Sequence, residues 1–312
     1  MSTSSTTSNI TTYDPQNGFV YQFKRYTTLT KPRIVLLLTI TGLVGFLIAG
    51  RNNYNFDFAL KLIIAIYMGF ASAGGAMVIN SYLDRDIDFL MERTRERASV
   101  NKNPINPPEK ILIFGGGLVI SAVVIAFFAF NLLTAIFVSW GVLFYLIGYS
   151  LYLKRRSVLQ NVIGGLASPT PVWVGYAAIQ NTKMLGNMEA WLLGGLVFVW
   201  TISHTYALSS KYLEDYKKAN IPVFPVVYGI KLTSQITFLW IFVVVAYSIL
   251  ISFWMTNSNI ILQLLLILPH LILIYSGYIF LRDPTAQTAY RCFKTHNFWL
   301  AIVFLGTWIF IF

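Results

Sequence analysis

Long apolar runs separated by short polar segments dominate the chain from about residue 21 onward. A helix rises 1.5 Å per residue, so about 20 apolar residues cross a hydrocarbon layer roughly 30 Å thick. Only Asn131 separates the third run from the fourth, but their combined length requires two crossings. The pattern predicts an all-α fold, a polytopic membrane bundle of nine transmembrane helices around a central cavity, with spans at 34–49, 58–79, 111–130, 132–153, 158–179, 190–209, 232–255, 260–281 and 298–312.

The amino-terminal segment differs from the rest. Residues 1–20 are rich in Ser, Thr and Asn and contain no apolar core, which argues against a cleaved secretory signal. We predict a disordered tail over 1–20 and a single membrane-embedded domain over 21–312.

Composition supports the membrane assignment. The chain is 56% hydrophobic and only 11% charged, against roughly 25% charged residues in an ordinary soluble domain. A soluble globular protein is therefore excluded. Cys292 is the single cysteine, so an intrachain disulfide is impossible, and no Cys/His run has metal-ligand spacing.

The charges are distributed unequally between the two faces of the predicted bundle. The net charge of +11 would suggest nucleic acid as the partner of a soluble protein. Here twenty of the 23 basic residues fall on one face, and only Arg51, Lys61 and Lys183 fall on the other. The positive-inside rule explains this asymmetry without a nucleic-acid partner. It predicts a multi-pass protein of the cell membrane, with the amino terminus cytoplasmic and the carboxyl terminus outside. Because most acids share the cytoplasmic face, we expect the chemistry there.

The most informative polar segment follows the second predicted span. Asn80, Asp84 and Asp88 are spaced i, i+4 and i+8, so they share one face of a helix while Asp86 points away. Stacked carboxylates repel each other and need a cation. Mg²⁺, which one or two carboxylates bind together with substrate phosphates, suits this arrangement. The alternative is a solvated helix end whose acids pair with Arg85, Arg93 and Arg97.

Two further polar segments lie on the same predicted face. Glu214, Asp215 and Tyr216 follow the sixth span, four crossings after the first motif, and an even number of crossings returns the chain to the same side. Lys154 and Arg155 precede the fifth span, which Asn161 enters. Lys and Arg are donors that a diphosphate leaving group requires. A bundle could bring these segments together, although each alone resembles an ordinary juxtamembrane charge cluster.

Taken together, these motifs resemble the UbiA-type intramembrane prenyltransferases. The resemblance runs nearly end to end, and it includes Leu-Thr-Lys-Pro-Arg at 29–33, the Asn80/Asp84/Asp88 motif, Leu-Lys-Arg at 153–155 and the segment from Glu214 to Val227. His204 together with the last segment resembles the branch that prenylates heme. Many superfamily members carry a second Asp-x-x-x-Asp, but the positions four away from Asp215 are Lys211 and Ala219. The number of metal ions therefore stays open.

The resemblance implies a function and its participants. The enzyme would transfer a farnesyl or longer group from its diphosphate to a vinyl group of protoheme IX, yielding a hydroxyalkyl heme. Asp84, Asp88 and Asp215 would be the catalytic, metal-binding residues for Mg²⁺, with lipid around the protein and a downstream heme-modifying enzyme or terminal oxidase assembly as a further contact. The implied substrate-binding residues are Asn80, Arg93, Lys154, Arg155, Asn161, His204 and Tyr216.

Two other interpretations remain open from the sequence. One is a prenyltransferase of the same superfamily that acts on a hydroxybenzoate, a quinone precursor or a glycerol-phosphate lipid. The other is a membrane transporter, which would place ionisable residues near the bilayer midplane, whereas most of them here lie at the cytoplasmic edge.

Overall fold

The computed structural model describes residues 18–52 and 54–311, which are almost entirely helical. The predicted tail over 1–20 lies mostly outside the described residues, and the first helix begins at Phe19. Short π-helical segments, Ala126–Phe130 and Phe144–Leu153, extend α5 and α6. The helices are α1 Phe19–Leu29, α2 Pro32–Ala49, α3 Phe56–Leu83, α4 Arg85–Leu90, α5 Glu109–Ile125, α6 Leu132–Leu143, α7 Gln160–Gly164, α8 Thr170–Gln180, α9 Met188–Lys211, α10 Leu213–Lys218, α11 Phe224–Met255, α12 Ile260–Arg282 and α13 Ala286–Phe310.

Eight helical segments within the described ranges are long and apolar enough to cross a membrane. They correspond to the first eight predicted spans, so the all-α, multi-pass prediction is confirmed. The ninth prediction, 298–312, was too short at its start, because α13 begins twelve residues earlier, at Ala286. A capping box between Thr285 and Thr288 starts this helix. The first turns of α13 contain the polar residues Arg291, Lys294 and His296. An apolar pattern therefore missed these turns, and α13 is not among the eight candidate membrane spans.

Asparagine side chains define where several spans begin. Asn131 accepts a hydrogen bond from the backbone N–H of Thr134, so α6 starts as a separate helix where the sequence predicted a break. Asn55, Asn187 and Asn259 cap α3, α9 and α12 in the same way. A side-chain oxygen satisfies one of the backbone donors that the first helical turn leaves free. These short polar caps explain why such closely spaced apolar runs resolve into individual helices.

The fifth predicted span is broken. A short 3-10 turn, Gly165–Ala167, follows α7, and α8 begins after Pro169. Proline has no backbone N–H, and its ring excludes a continuous helix through this point. The polar residues of α7 therefore lie at one end of the bundle, while α8 packs closely on α2.

The spanning helices form a closed ring in chain order. Each contacts the next, from α2 through α3, α5, α6, α8, α9, α11 and α12 to α13, and α13 returns to α2. The largest apolar core lies in the half that contains α8 to α13, with Tyr176, Trp200 and Trp299 among its buried side chains. The loops after α3, α6 and α9 emerge at the same end of this ring, which is where the polar motifs were expected.

The opposite end carries few charges, and four of them form two ion pairs. Arg51 and Glu189 form a two-point ion pair, with N–O distances of 2.8 and 3.0 Å. Lys61 and Asp57 form a second pair at 2.7 Å. This distribution of charge between the two ends agrees with the asymmetry read from the sequence.

Replacing Gly175 by alanine tests the close contact of α2 and α8. A Cβ at this position would collide with the carbonyl oxygen of Gly42 and lie 2.5 Å from the backbone nitrogen of Phe46. Because both neighbours are backbone atoms, Gly175→Ala should lower the free energy of unfolding by about 1–3 kcal/mol. Thermal melting in detergent measures the loss. Gly116→Ala is the matched control, since nothing lies within 4 Å of its added Cβ; equal melting of the two variants would contradict the prediction.

Candidate active site

The chain bends where α3 ends, and the acidic motif lies at this bend. Asp84 separates α3 from α4, while backbone hydrogen bonds from Asp84 to Asn80 and from Asp88 to Asp84 continue across it. Asn80, Asp84 and Asp88 are all buried, whereas the side chain of Asp86 is 59% exposed. The first three residues therefore face the protein interior, as the i, i+4, i+8 spacing predicted.

Asp84 is held from one side only. Its Oδ2 accepts hydrogen bonds from Lys154 Nζ at 2.6 Å and from Asn80 Nδ2 at 2.7 Å. Its Oδ1 is buried and has no hydrogen-bond partner, and the guanidinium of Arg155 lies 4.0 Å from it. A buried carboxylate oxygen without a donor is costly. This oxygen is therefore available to a ligand.

The second carboxylate of the motif is paired with an arginine. Arg97 donates to Oδ2 of Asp88. The loop that carries Arg97 folds back on the motif, because Thr94 donates to the backbone carbonyl of Asp88 at 2.8 Å. The alternative of a solvated helix end therefore agrees with the structure in its ion pairing but not in its solvent exposure. The acids do pair with nearby basic residues, but the pairs of Asp84 and Asp88 are withdrawn from solvent.

Asp215 is brought to the same end of the bundle, but it contacts the loop and not the motif carboxylates. Its Oδ1 and Oδ2 accept from the backbone N–H groups of Glu92 and Arg93, at 3.0 and 3.3 Å. The guanidinium of Arg93 donates to the hydroxyl of Tyr216 at 2.9 Å and stacks over its ring and that of Tyr212. The loop after α4 is therefore fastened to α10. Among residues 18–52 and 54–311, no three His, Cys, Asp or Glu side chains are grouped to hold a metal ion.

Lys154 reaches Asp84 because α6 and α3 lie side by side. Ser150 contacts Asn80 and Lys154 contacts Asp84, and both pairs are 70 positions apart in sequence. A constant separation is the mark of two neighbouring helices that run in the same direction. The π-helical end of α6, where the N–H of Lys154 donates to the carbonyl of Tyr149, sets the direction of this side chain. Arg155 lies further out, where its two hydrogen bonds lower the pKa of Asp86.

Three functional candidates were missed by the sequence prediction. Lys31, Arg97 and Ser150 all contact the acidic motif. Burial, together with the positive charges of Arg97 and Lys154, lowers the pKa of Lys31 to about 7, although Asp88 and Asp84 act in the opposite direction. The position of Lys31 in the 29–33 motif was the signal that could have identified it. Nothing in the spacing of Ser150 distinguishes it from a packing residue.

Asn161 and His204 lie away from these contacts. Asn161, on α7, is buried, and its Nδ2 has no hydrogen-bond partner. His204, on α9, stacks on Trp200 with ring centres 4.1 Å apart and contacts Phe293 of α13 at 4.6 Å. Its Nδ1 is buried and unpartnered. The neighbouring His296 bonds Ser203 and a backbone carbonyl, so its ring is fully used.

The charges at this end favour an anionic ligand. Lys31, Arg97 and Lys154 surround Asp84 and Asp88 closely enough to affect one another's ionisation. Arg97 and Lys154 balance the two carboxylates, Asp86 neutralises Arg155, and Lys31, whose pKa lies near 7, adds only part of a positive charge at neutral pH. An excess of buried positive charge in a low-dielectric setting attracts a compact polyanion such as a diphosphate.

The described chain is a bundle of membrane-spanning helices with a buried site of acidic and basic residues at one end. The model of the UbiA prenyltransferase family matches residues 38–309, and the chain belongs to this family. It is therefore a prenyltransferase, and the transporter interpretation is set aside.

Curated relatives resemble the chain over most of its length. A protoheme IX farnesyltransferase of Rickettsia akari is 34% identical over 284 residues, 90% of each chain. One from Gloeobacter violaceus is 41% identical over 70% of each chain. One from Sulfolobus acidocaldarius is 31% identical over 90% of this chain and 94% of the relative.

Solved structures share the fold at lower identity. A digeranylgeranylglyceryl phosphate synthase superposes with a TM-score of 0.71 and 21% identity, over 93% of this chain and 98% of that one. A UbiA homologue from Archaeoglobus fulgidus, bound to DMAPP and Mg²⁺, superposes with a TM-score of 0.62 and 13% identity, over 91% and 99%. These likenesses confirm the predicted fold.

Replacing Asp215 by alanine should release the loop that it fastens. The backbone N–H groups of Glu92 and Arg93 would lose their acceptors, so their amide hydrogens should exchange faster, by about tenfold if one net hydrogen bond to a charged group is lost. Hydrogen-exchange mass spectrometry of the loop peptide provides the measurement. Glu214→Ala, which removes an exposed carboxylate bonded to Lys217, is the control. Unchanged protection in the Asp215 variant would refute this anchoring.

Proposed function

We propose that the protein transfers a prenyl group, farnesyl or longer, from its diphosphate to a vinyl group of protoheme IX, and so forms a hydroxyalkyl heme and diphosphate. The observation that carries this proposal is the identity of 31–41% to protoheme IX farnesyltransferases over 70–90% of the chain. The buried acidic and basic site supplies the contacts that a diphosphate requires.

We also propose that the substrate diphosphate binds together with Mg²⁺. The free Oδ1 of Asp84 and the neighbouring Asp88 suit such a complex, because one or two carboxylates hold Mg²⁺ when phosphate oxygens complete its shell. Bound Mg²⁺ would neutralise the diphosphate and make it a better leaving group. The structural neighbour that binds DMAPP with Mg²⁺ supports the pairing for the fold. Asp215 as a third ligand stays a prediction.

The chain's own residues act on the leaving group and on the reactive carbon. Lys154 and Arg155, which bond Asp84 and Asp86 in this structure, would donate hydrogen bonds to the departing diphosphate, and Arg93 would do so from the loop. Arg97, which pairs with Asp88 in this structure, could transfer to a phosphate oxygen when Asp88 binds the metal. The apolar helices hold the prenyl tail and exclude water from the allylic carbon until the vinyl carbon attacks it. Water then adds to the cation left on the porphyrin side chain, which accounts for the hydroxyl group.

We propose that His204 contacts the heme, at its iron or at a propionate. Its unpartnered Nδ1 and its stacking on Trp200 support a role in holding a flat, conjugated acceptor. Asn161, which also has an unpartnered donor, and Tyr216, which orients Arg93, would complete the substrate contacts.

Other acceptors define the competing proposal. The fold is shared with a digeranylgeranylglyceryl phosphate synthase, so a glycerol-phosphate lipid, a hydroxybenzoate or a quinone precursor is the alternative. The higher identity to the heme-modifying relatives favours protoheme. Placement in the cell membrane with the amino terminus in the cytoplasm, and contact with a downstream heme-modifying enzyme or a terminal oxidase assembly, stay predictions.

Incubation of the purified protein with protoheme, prenyl diphosphates of several lengths and Mg²⁺ tests the reaction. Mass spectrometry should find a heme heavier by one prenyl group plus water, and removal of Mg²⁺ with a chelator should abolish it. Asp84→Asn should lower the rate at least about 100-fold, since a neutral amide would hold Mg²⁺ less tightly and the charge that develops on the leaving group would be less stabilised. Glu96→Gln, an exposed change in the neighbouring loop, should not. Turnover of an aromatic acid with no heme product would overturn the choice of acceptor.

His204→Phe separates binding of heme from binding of the prenyl donor. Phenylalanine keeps the stacking on Trp200 but removes both ring nitrogens, so the absorption change on adding heme should be lost or shifted. Affinity for an unreactive prenyl diphosphate analogue should stay within about twofold, because His204 has no contact with the acidic motif. His270→Gln, on α12, is the control for the absorption change. A wild-type heme spectrum in the His204 variant would remove the proposed contact.

A further inference from the structure

Lys31 occupies an unusual position between α1 and α2. Its φ of 53° places the backbone in the left-handed region, which a lysine seldom adopts. The other non-glycine residues with positive φ in the described part of the chain are Asn and Ser. Leu29 anchors the segment on one side, because it is buried against Val78 and Ile111, and Pro32 starts α2 on the other. A strained backbone held from both sides directs one side chain with little freedom.

The ammonium group of Lys31 contacts the site through Asn80. Lys31 Nζ lies 2.8 Å from Asn80 Oδ1, while Asn80 Nδ2 donates to Asp84 Oδ2 at 2.7 Å and to Ser150 Oγ at 3.0 Å. Every donor and the oxygen of the Asn80 side chain thus have a partner. A single lysine therefore connects the α1–α2 turn to the acidic motif.

The chemistry of these partners fixes the orientation of the amide. An ionised carboxylate only accepts hydrogen bonds, so the group that faces Asp84 must be the NH₂. Ser150 uses its own hydrogen on the carbonyl of Tyr145, so it too accepts from Asn80. The amide oxygen is left facing Lys31, which must donate. Rotating the amide by half a turn would bring oxygen against oxygen at Asp84.

The two carboxylate oxygens of Asp84 therefore differ in their hydrogen bonding. Oδ2 receives Asn80 and Lys154, and Oδ1 receives no hydrogen bond. Asn80 consequently acts as a donor to the carboxylate, and its oxygen is already occupied by Lys31. A side chain that fixes one carboxylate oxygen leaves the other in a defined position for a ligand.

We propose that Lys31 is a positioning residue for prenyl diphosphate binding: it locks the Asn80 amide, so that Asp84 keeps its Oδ1 for the metal–diphosphate headgroup. This inference rests on the proposed prenyl diphosphate substrate, and it assigns Lys31 no contact with that substrate. Without Lys31, the amide oxygen of Asn80 loses its donor and the side chain is held only by Asp84 and Ser150. Asn80 then restrains Asp84 less firmly, and Lys154 alone keeps its position on Oδ2.

A double-mutant cycle tests this indirect role. The full-length protein in detergent is titrated with Mg²⁺ and farnesyl S-thiolodiphosphate, whose sulfur slows cleavage, and heme is omitted. Lys31→Met should weaken binding about tenfold, the effect of losing one hydrogen bond near charge. Asn80→Ala should weaken it at least as much. In the Asn80→Ala background, Lys31→Met should add less than about twofold, because its partner is already absent.

Matched variants keep the result interpretable. Lys31→Arg retains a donor and should bind within about threefold of the wild type. Arg33→Met removes an exposed cation from the same turn of chain and should leave affinity unchanged. Lys31→Gln, whose shorter side chain cannot reach Asn80, should match Lys31→Met and serves if the methionine variant does not fold. Thermal melting identifies folded variants.

The possible results distinguish failure of the positioning role of Lys31 from failure of the proposed function. Equal loss from Lys31→Met with and without Asn80 would mean direct contact with the ligand and would overturn the positioning role. Unchanged affinity in both Lys31→Met and Lys31→Gln would overturn it as well. If the wild-type protein itself does not bind the analogue, the proposed function fails, and the inference fails with it.

Discussion

The structure depends on keeping carboxylates buried at the end of a membrane-spanning helix. An isolated buried charge is too costly to persist, so each acid must have a donor or a cation. Asp84 is served by Lys154 and Asn80, Asp88 by Arg97, and Asp215 by two backbone amides. These partners come from three different parts of the chain, and pairing them with the acids brings α3, α6, α10 and the loop after α4 together.

The same constraint explains why the site suits a charged headgroup. Arg97 and Lys154 neutralise Asp88 and Asp84, and the partly protonated Lys31 adds positive charge beside these pairs. One oxygen of Asp84 is left without a donor inside this field. The side chains of the site therefore do not satisfy every hydrogen-bonding group within it, and the group that remains favours binding of a ligand.

The opposite end of the bundle shows the contrast. Arg51 and Glu189 pair through two hydrogen bonds and the hydroxyl of Tyr176 adds a third to Glu189, so both oxygens of this carboxylate have a donor. The tight packing of α2 on α8 through Gly42, Gly45 and Gly175 lies between the two ends. The helix contacts that stabilise the fold and the residues of the candidate active site therefore lie at different levels along the bundle.

The sequence by itself determined the helical membrane fold, the break at Asn131 and the face on which the acids gather, because hydropathy, capping and charge asymmetry are local properties. The break at Pro169 appeared only in the structure. The sequence also selected Asp84, Asp88, Asp215 and Lys154 as neighbours at one end. Only the tertiary structure decided which group each carboxylate contacts. That Asp215 holds backbone amides, that Lys31 orients Asn80, and that a π-helical turn directs Lys154 all depend on angles and distances between helices far apart in sequence, which no spacing along the chain encodes.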